Sequence, residues 1–187
     1  MRLFFLYIIC MMMFSLPATY NWVYAENTTS YKAYEVKAAL LIKFIDFVKW
    51  PGESFSHEPD TFVLGILGYD VFEGIFDQFI NKKIDHRHFK VQKFYNINEI
   101  RQVQILFISE SEMECLPEIL EKIREKHVLT VADTKGAAKE GVIINFIEKK
   151  GRIGFEINVD AKKQTKLHIS SHLLRLAEIV SNKGNPR

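Results

Sequence analysis

Cysteine is nearly absent from this chain, with 2 among 187 residues. Cys10 sits in the apolar run at the start and Cys115 stands far from it, so no internal disulfide framework is expected. Cys115 reads as a partly buried thiol or as half of a disulfide between two copies. Glu112 and Glu114 beside it disfavour a reactive thiolate. Glycine is also scarce, at 9 residues, and neither a dinucleotide fingerprint nor a Walker sequence follows Gly65 and Gly68. Charge of one sign is missing too. The 25 basic and 23 acidic residues nearly cancel, leaving +2 and no electrostatic footprint for nucleic acid.

Chemistry-bearing constellations are equally thin. No nucleophile elbow surrounds Ser109 or Ser111. A phosphate-accepting receiver domain needs an aspartate at the end of its third strand, and here Ile108 is followed by Ser109. His86 and His88 share a face of an extended segment but lack a third ligand. His168 and His172 converge only on one continuous helix, and a cap at Ser170 or Ser171 separates them. No catalytic residue, metal or cofactor is therefore assigned.

The chain opens with a leader. Arg2 is followed by the apolar run Leu3–Leu16, Pro17 ends it, and Val23-Tyr24-Ala25 suits a cleavage site. The run holds about 14 residues against the roughly 20 of a membrane span. Ile9 stands before Cys10 where a lipoprotein signal needs a small residue. Residues 1–25 are thus expected to be a signal peptide, with 26–187 forming one exported domain of about 160 residues, enough for a sizeable core.

Glu26–Ser30 reads as a flexible start and Tyr31–Trp50 as a helix, stopped by Pro51. Its apolar arc, with Val36, Leu40, Phe44 and Phe47, is wide enough to serve both the core and a dimer or partner contact. Thr61–Leu67 has the continuous apolar character of a buried strand. Asp70 with Glu73 suggests a capping box opening a helix over Val71–Ile80. Further strands are expected at Phe89–Phe94, Gln104–Ile108, His127–Ala132, Gly141–Ile147 and Arg152–Asn158, with a helix beginning at Ser111 or Pro117. The last two strands flank the tight turn Glu148–Gly151 as an antiparallel hairpin. The fold class is α/β: a single domain with a mostly parallel sheet of about six strands, helices on both faces and a C-terminal antiparallel hairpin.

Three places are candidates for binding. Helix N–H groups after Gly68 and Asp70 would face a small anionic ligand at a strand C-terminus. Phe44, Phe47 and Trp50 lie along the first helix. Glu156, Asn158 and Arg175 lie at the hairpin and the last helix, either as salt-bridging surface residues with Arg152 or as a polar recognition patch.

The segment Gly151–Ala177 (GRIGFEINVDAKKQTKLHISSHLLRLA) resembles the signature of the YfiR-like (DUF4154) proteins. Lys37-Ala38-Ala39 through Phe44, Phe47, Trp50 and Pro51, then Val63–Asp70 and Val128–Asp133, agree with it in order. The resemblance spans Tyr31–Val180. It implies an exported, periplasmic α/β protein without catalysis, dimeric, that binds the periplasmic domain of an inner-membrane diguanylate cyclase and holds it inactive, limiting cyclic di-GMP and biofilm formation. The partner-binding residues would be Phe44, Phe47, Trp50, Glu156, Asn158 and Arg175. A ligand-sensing role at Gly68 and Asp70 is the alternative, the ligand being unknown. One departure stands out. Gln104 occupies a place where the family often has a cysteine, so redox sensing through an internal disulfide is not expected.

Overall fold

The computed structural model describes residues 20–80, 82–182 and 184, with side chains from Tyr31 onward. The expected leader up to residue 19 lies outside the described residues. By contacts the chain divides into Met1–Tyr34 and Glu35–Arg187. The second unit carries the sheet. No helix among the described residues is long and apolar enough to cross a membrane.

Helix α1 covers Tyr20–Phe47. It begins well before Tyr31, contrary to the expected flexible start, because no glycine or proline interrupts this stretch. It also ends earlier than expected. Val48–Lys49 (β1) leaves the helix to pair antiparallel with His168–Ile169 (β9), and Pro51 follows.

The remaining strands form one eight-stranded sheet. They are Thr61–Leu67 (β2), Lys83–Ile84 (β3), Arg87–Phe94 (β4), Ile105–Ile108 (β5), Leu129–Ala132 (β6), Ile144–Lys149 (β7), Arg152–Asn158 (β8) and Glu178–Val180 (β10). Their order is β10-β8-β7-β6-β5-β2-β4-β3. Pairing is parallel throughout the centre and at β8 with β10, and antiparallel at β3 with β4 and at β7 with β8. The β7–β8 turn places Lys150 at φ 51° and Gly151 at φ 71°, the double left-handed geometry that a two-residue hairpin loop requires.

Two layers cover the sheet. On one face, Leu116, Ile119 and Ile123 of helix α2 (Leu116–Ile123) pack with Val63, Leu67, Phe94, Leu106 and Ile108. Pro117 lies in the first turn of α2, where its missing N–H costs nothing. On the other face, Phe44 of α1 stacks on Phe146 at 5.9 Å and meets Phe155 edge-on at 5.2 Å. Strand alternation explains the division, since Phe62, Leu64 and Ile66 point away from Val63 and Leu67. Lys37 of α1 is tied to Asp133, just beyond β6, by a 2.6 Å ion pair with both side chains largely buried.

One element departs from expectation. Residues 71–80 form no α-helix. They make turns ending in a 3-10 segment, Asp77–Phe79. Asp70 Oδ1 accepts from the Phe72 N–H two residues on, at 2.9 Å, closing a local turn instead of a helix cap. Gly74 then adopts φ 76°, which breaks any helical run. The last helix follows the expected cap. Ser170 accepts from Leu173 N–H at 3.2 Å, and α4 spans Ser171–Leu176. Ala177 is extended, and Glu178–Val180 adds β10 beside β8. A short helix α3 (Val159–Lys163) intervenes after β8.

Gly68 is fixed by backbone and space together. Its φ is 87°, and a Cβ there would collide with Ser111 Oγ and stand 2.6 Å from Glu112 Cγ. Gly68→Ala is expected to cost roughly 2 kcal/mol through left-handed strain and overpacking. A urea unfolding midpoint that does not move would contradict this tight fit.

Candidate functional site

The strand C-termini do not present the anion site expected at Gly68 and Asp70. No helix follows, so no set of helix N–H groups is aimed there. Ser111 Oγ accepts from Tyr69 N–H, and Ser109 Oγ donates to the Tyr69 carbonyl, so the serines occupy the backbone groups of this turn. Asp70 is engaged by Lys93 at 2.7 Å. The contact raises the Lys93 ammonium above its ordinary value of 10.5, chiefly because the ammonium donates a hydrogen bond to the Asp70 carboxylate.

The open cleft lies at the opposite end of the sheet, among the loops that feed β2, β5 and β6. It encloses about 740 Å³. Its floor is Val63, Ile100 and Val103, all buried. Gln104 builds the wall. Its Oε1 accepts from Val63 N–H at 2.7 Å and its Nε2 donates to the Ser54 carbonyl at 2.5 Å. One amide thus ties the start of β2 to the loop after Pro51. Gln102 repeats the device further out, accepting from His57 N–H at 3.1 Å and donating to the Glu53 carbonyl at 3.1 Å.

A polar clamp closes one side. Glu53 Oε1 lies 2.7 Å from Lys166 Nζ and 2.7 Å from His127 Nε2. His127 Nδ1 accepts from the Lys166 backbone N–H at 3.3 Å, which assigns the ring hydrogen donated to Glu53 to Nε2. His127 itself sits at φ 52°, a left-handed conformation that is uncommon for a side-chain-bearing residue. Lys166 holds the Glu53 carboxyl below its ordinary value of 4.5, first by hydrogen bonding and then by charge, with the hydrogen bond from His127 adding to it against desolvation.

The pH consequence follows from that direction. A carboxyl depressed in the folded state stabilises the fold above the unfolded value and loses the contribution as pH falls through the folded one. The stability difference between the native protein and Glu53→Gln is expected to be present at neutral pH and to be lost progressively in acid, as pH falls from the ordinary carboxyl value of 4.5 through the lower folded one. Denaturant titrations at several pH values measure it. A difference that persists unchanged in acid would contradict the ionic clamp.

The other sequence candidates are dispersed. Phe44 is buried in the core. Phe47 is half-buried, and its ring stacks on His172 at 5.5 Å. Trp50 meets Phe62 edge-on at 5.0 Å and donates its indole N–H to the Gln104 carbonyl at 2.9 Å. Trp50 therefore supports the wall of the cleft. Glu156 accepts from the Asn145 amide at 3.3 Å, with neither Arg152 nor Arg175 paired to it. Arg175 is exposed and lies 3.4 Å from His172 Nδ1. Asn158 is buried and caps α3 through its Oδ1. Thus Phe47, His172 and Arg175 come together at the α1–α4 junction, while Phe44 and Asn158 serve packing.

His86 lies in the β3–β4 turn at φ 66°, so it does not share a strand face with His88. Among the described residues no group of three or more histidines, cysteines, aspartates or glutamates is placed to hold a metal ion. Cys115 is exposed and free. Glu53, Gln102, His127 and Lys166 went unread in the sequence, and Gln104 stood out only for the cysteine it replaces. They are scattered over more than a hundred positions, and only the fold assembles them.

The model of the family described as DUF4154, YfiR/HmsC-like, matches residues 34–178. No curated protein matches the chain. A solved structure described as the ABC domain in complex with L-Trp from Streptococcus pneumonia is similar at 8% sequence identity and a TM-score of 0.48. The match covers 66% of this chain and 56% of that one, so the chain spans little more than half of its length.

Proposed function

Because this chain belongs to the YfiR/HmsC-like family, we propose that it is an exported, periplasmic regulatory protein, dimeric, that holds an inner-membrane diguanylate cyclase inactive by direct contact. The family match across residues 34–178 carries the reading. The mechanism is a population shift. A protein that binds only the inactive conformation of the receptor lowers its output by the differential affinity it brings. The contact is assigned to the α1–α4 junction, where half-buried Phe47 stacks on His172, Arg175 is exposed and Leu176 is 62% exposed. An aromatic, an arginine and an uncovered leucine side by side have the composition of an interface centre.

Co-purification of the tagged protein with the cyclase from solubilised membranes tests this. Native protein is expected to capture the cyclase, and the double substitution Arg175→Glu with Leu176→Asp is expected to abolish capture while leaving the melting temperature within a few degrees. Absence of a cyclase in the native capture overturns the function. Capture that survives the substitution overturns the assigned surface.

The cleft favours a second reading, a small-ligand sensor. A ligand that binds the native state must raise its stability. A thermal-shift screen in which a compound raises the melting temperature of native protein, but not of Gln102→Ala, supports it. A screen without any such compound counts against it.

A further inference from the structure

One end of the sheet carries a charge unlike the rest of the chain. Residues 82–93 hold Lys82, Lys83, Arg87, Lys90 and Lys93 against the single acid Asp85, a formal +4 where the whole chain carries +2. Part of this is compensated. Arg87 lies 3.3 Å from Asp85, Lys93 is 2.7 Å from Asp70, and Lys90 is 4.0 Å from Glu58. Lys82 and Lys83 make no ion pair among the described residues, and the Lys82 ammonium stands 5.9 Å from the Phe79 ring centre.

The charges sit on rigid backbone. β4 is paired with β2 over seven register positions, and β3 forms the outer edge. Lys83 and His88 face each other across the hairpin, and Lys90 follows on the same face. Ile80, just before this edge, is 43% exposed.

Lysines on an edge strand commonly guard against edge-to-edge aggregation. That explains Lys83 but not an uncovered isoleucine three residues before it in the chain, which works against such protection. Basic side chains that follow an exposed aliphatic residue in the chain match a different surface. Headgroup phosphates attract the ammonium groups, while the aliphatic side chain enters the interface. A soluble polyanion has no use for the isoleucine.

We propose that the β3–β4 edge with Ile80 is a docking surface for an anionic phospholipid bilayer. This surface is separate from the α1–α4 junction, and its test does not involve the cyclase. Docking here confines the protein to the membrane plane.

The test is co-sedimentation of the purified protein with vesicles of phosphatidylcholine, with and without phosphatidylglycerol. Binding is expected only with the anionic lipid and is expected to fall steeply by about 0.5 M salt, where charges beyond a few ångströms are screened. Lys82→Glu with Lys83→Glu is expected to weaken it by at least about tenfold, and Ile80→Ser by a few fold, with unchanged thermal melts. If the charge-reversed protein fails to fold, Lys82→Gln with Lys83→Gln replaces it, with a smaller loss in the same direction. Absent binding, equal binding to neutral vesicles, or full binding by the lysine variants overturns the proposal. So does binding that is insensitive to Ile80→Ser and fully displaced by polyphosphate, which would identify a polyanion site.

Discussion

Replacing Phe44 with alanine is expected to destabilise the domain by about 4 kcal/mol, the range for deleting a fully buried aromatic ring. The side chain is 1% exposed. Its ring fills the space between Phe146 and Phe155, at 5.9 Å and 5.2 Å, and so couples α1 to both strands of the hairpin. The substitution removes the transfer energy of the ring, two aromatic contacts and the packing that seats the helix. A protein of this size should lose roughly 10 °C of melting temperature. The experiment also separates two roles for this residue. Burial predicts that loss of partner capture tracks the unfolded fraction, whereas a direct contact predicts loss of capture at unchanged stability. A melting temperature that hardly moves would contradict the packing role.

Asn158→Ala is expected to cost about 3 kcal/mol, combining a lost helix cap with orphaned buried polar groups. The Asn158 Oδ1 accepts from both Asp160 N–H and Ala161 N–H at 2.9 Å, capping α3. Its Nδ2 donates to the Ala138 carbonyl and, at 2.6 Å, to Asn182 Oδ1. One side chain thus joins the end of β8, the 3-10 turn at Ala137–Glu140 and the segment after β10. Asn158→Asp keeps the cap but loses both donors and faces two acceptor oxygens with a carboxylate. It is expected to be no more stable than the alanine variant. Chemical unfolding of the three proteins measures this. If aspartate restores native stability, the cap alone accounts for the residue and the two donated bonds contribute nothing.

Most of the sheet was legible because strand burial writes itself into composition. Thr61–Leu67 is apolar at nearly every position since β2 lies in the centre of a parallel sheet covered on both faces. Arg152–Asn158 alternates, and β8 has those bounds. The eight strands exceed the expected six because β3 and β10 are two and three residues long, too short for a period to show. The stretch 71–80 read as a helix because Asp70 and Glu73 have capping-box spacing. The Asp70 side chain instead closes a turn on Phe72, and Phe72 and Phe76 anchor the loop in the core.

The candidate sites were legible only in part. Aromatic residues of α1 were evident from the sequence, but periodicity does not separate Phe44, turned into the core, from Phe47, turned toward His172. Asn158 looked like a surface polar residue because it ends an alternating strand on the polar side. It is instead the hub of four hydrogen bonds. The cleft was illegible because its polar walls come from Glu53, Gln102, Gln104 and His127, which share no motif or spacing.

The regulatory account rests on restraint of a membrane-bound diguanylate cyclase. Cellular cyclic di-GMP, measured in a strain lacking this protein and in the same strain with the native protein restored, tests that claim most directly. The account predicts a rise on loss and a return on restoration. A level that stays the same in both strains, with the cyclase present, would contradict it.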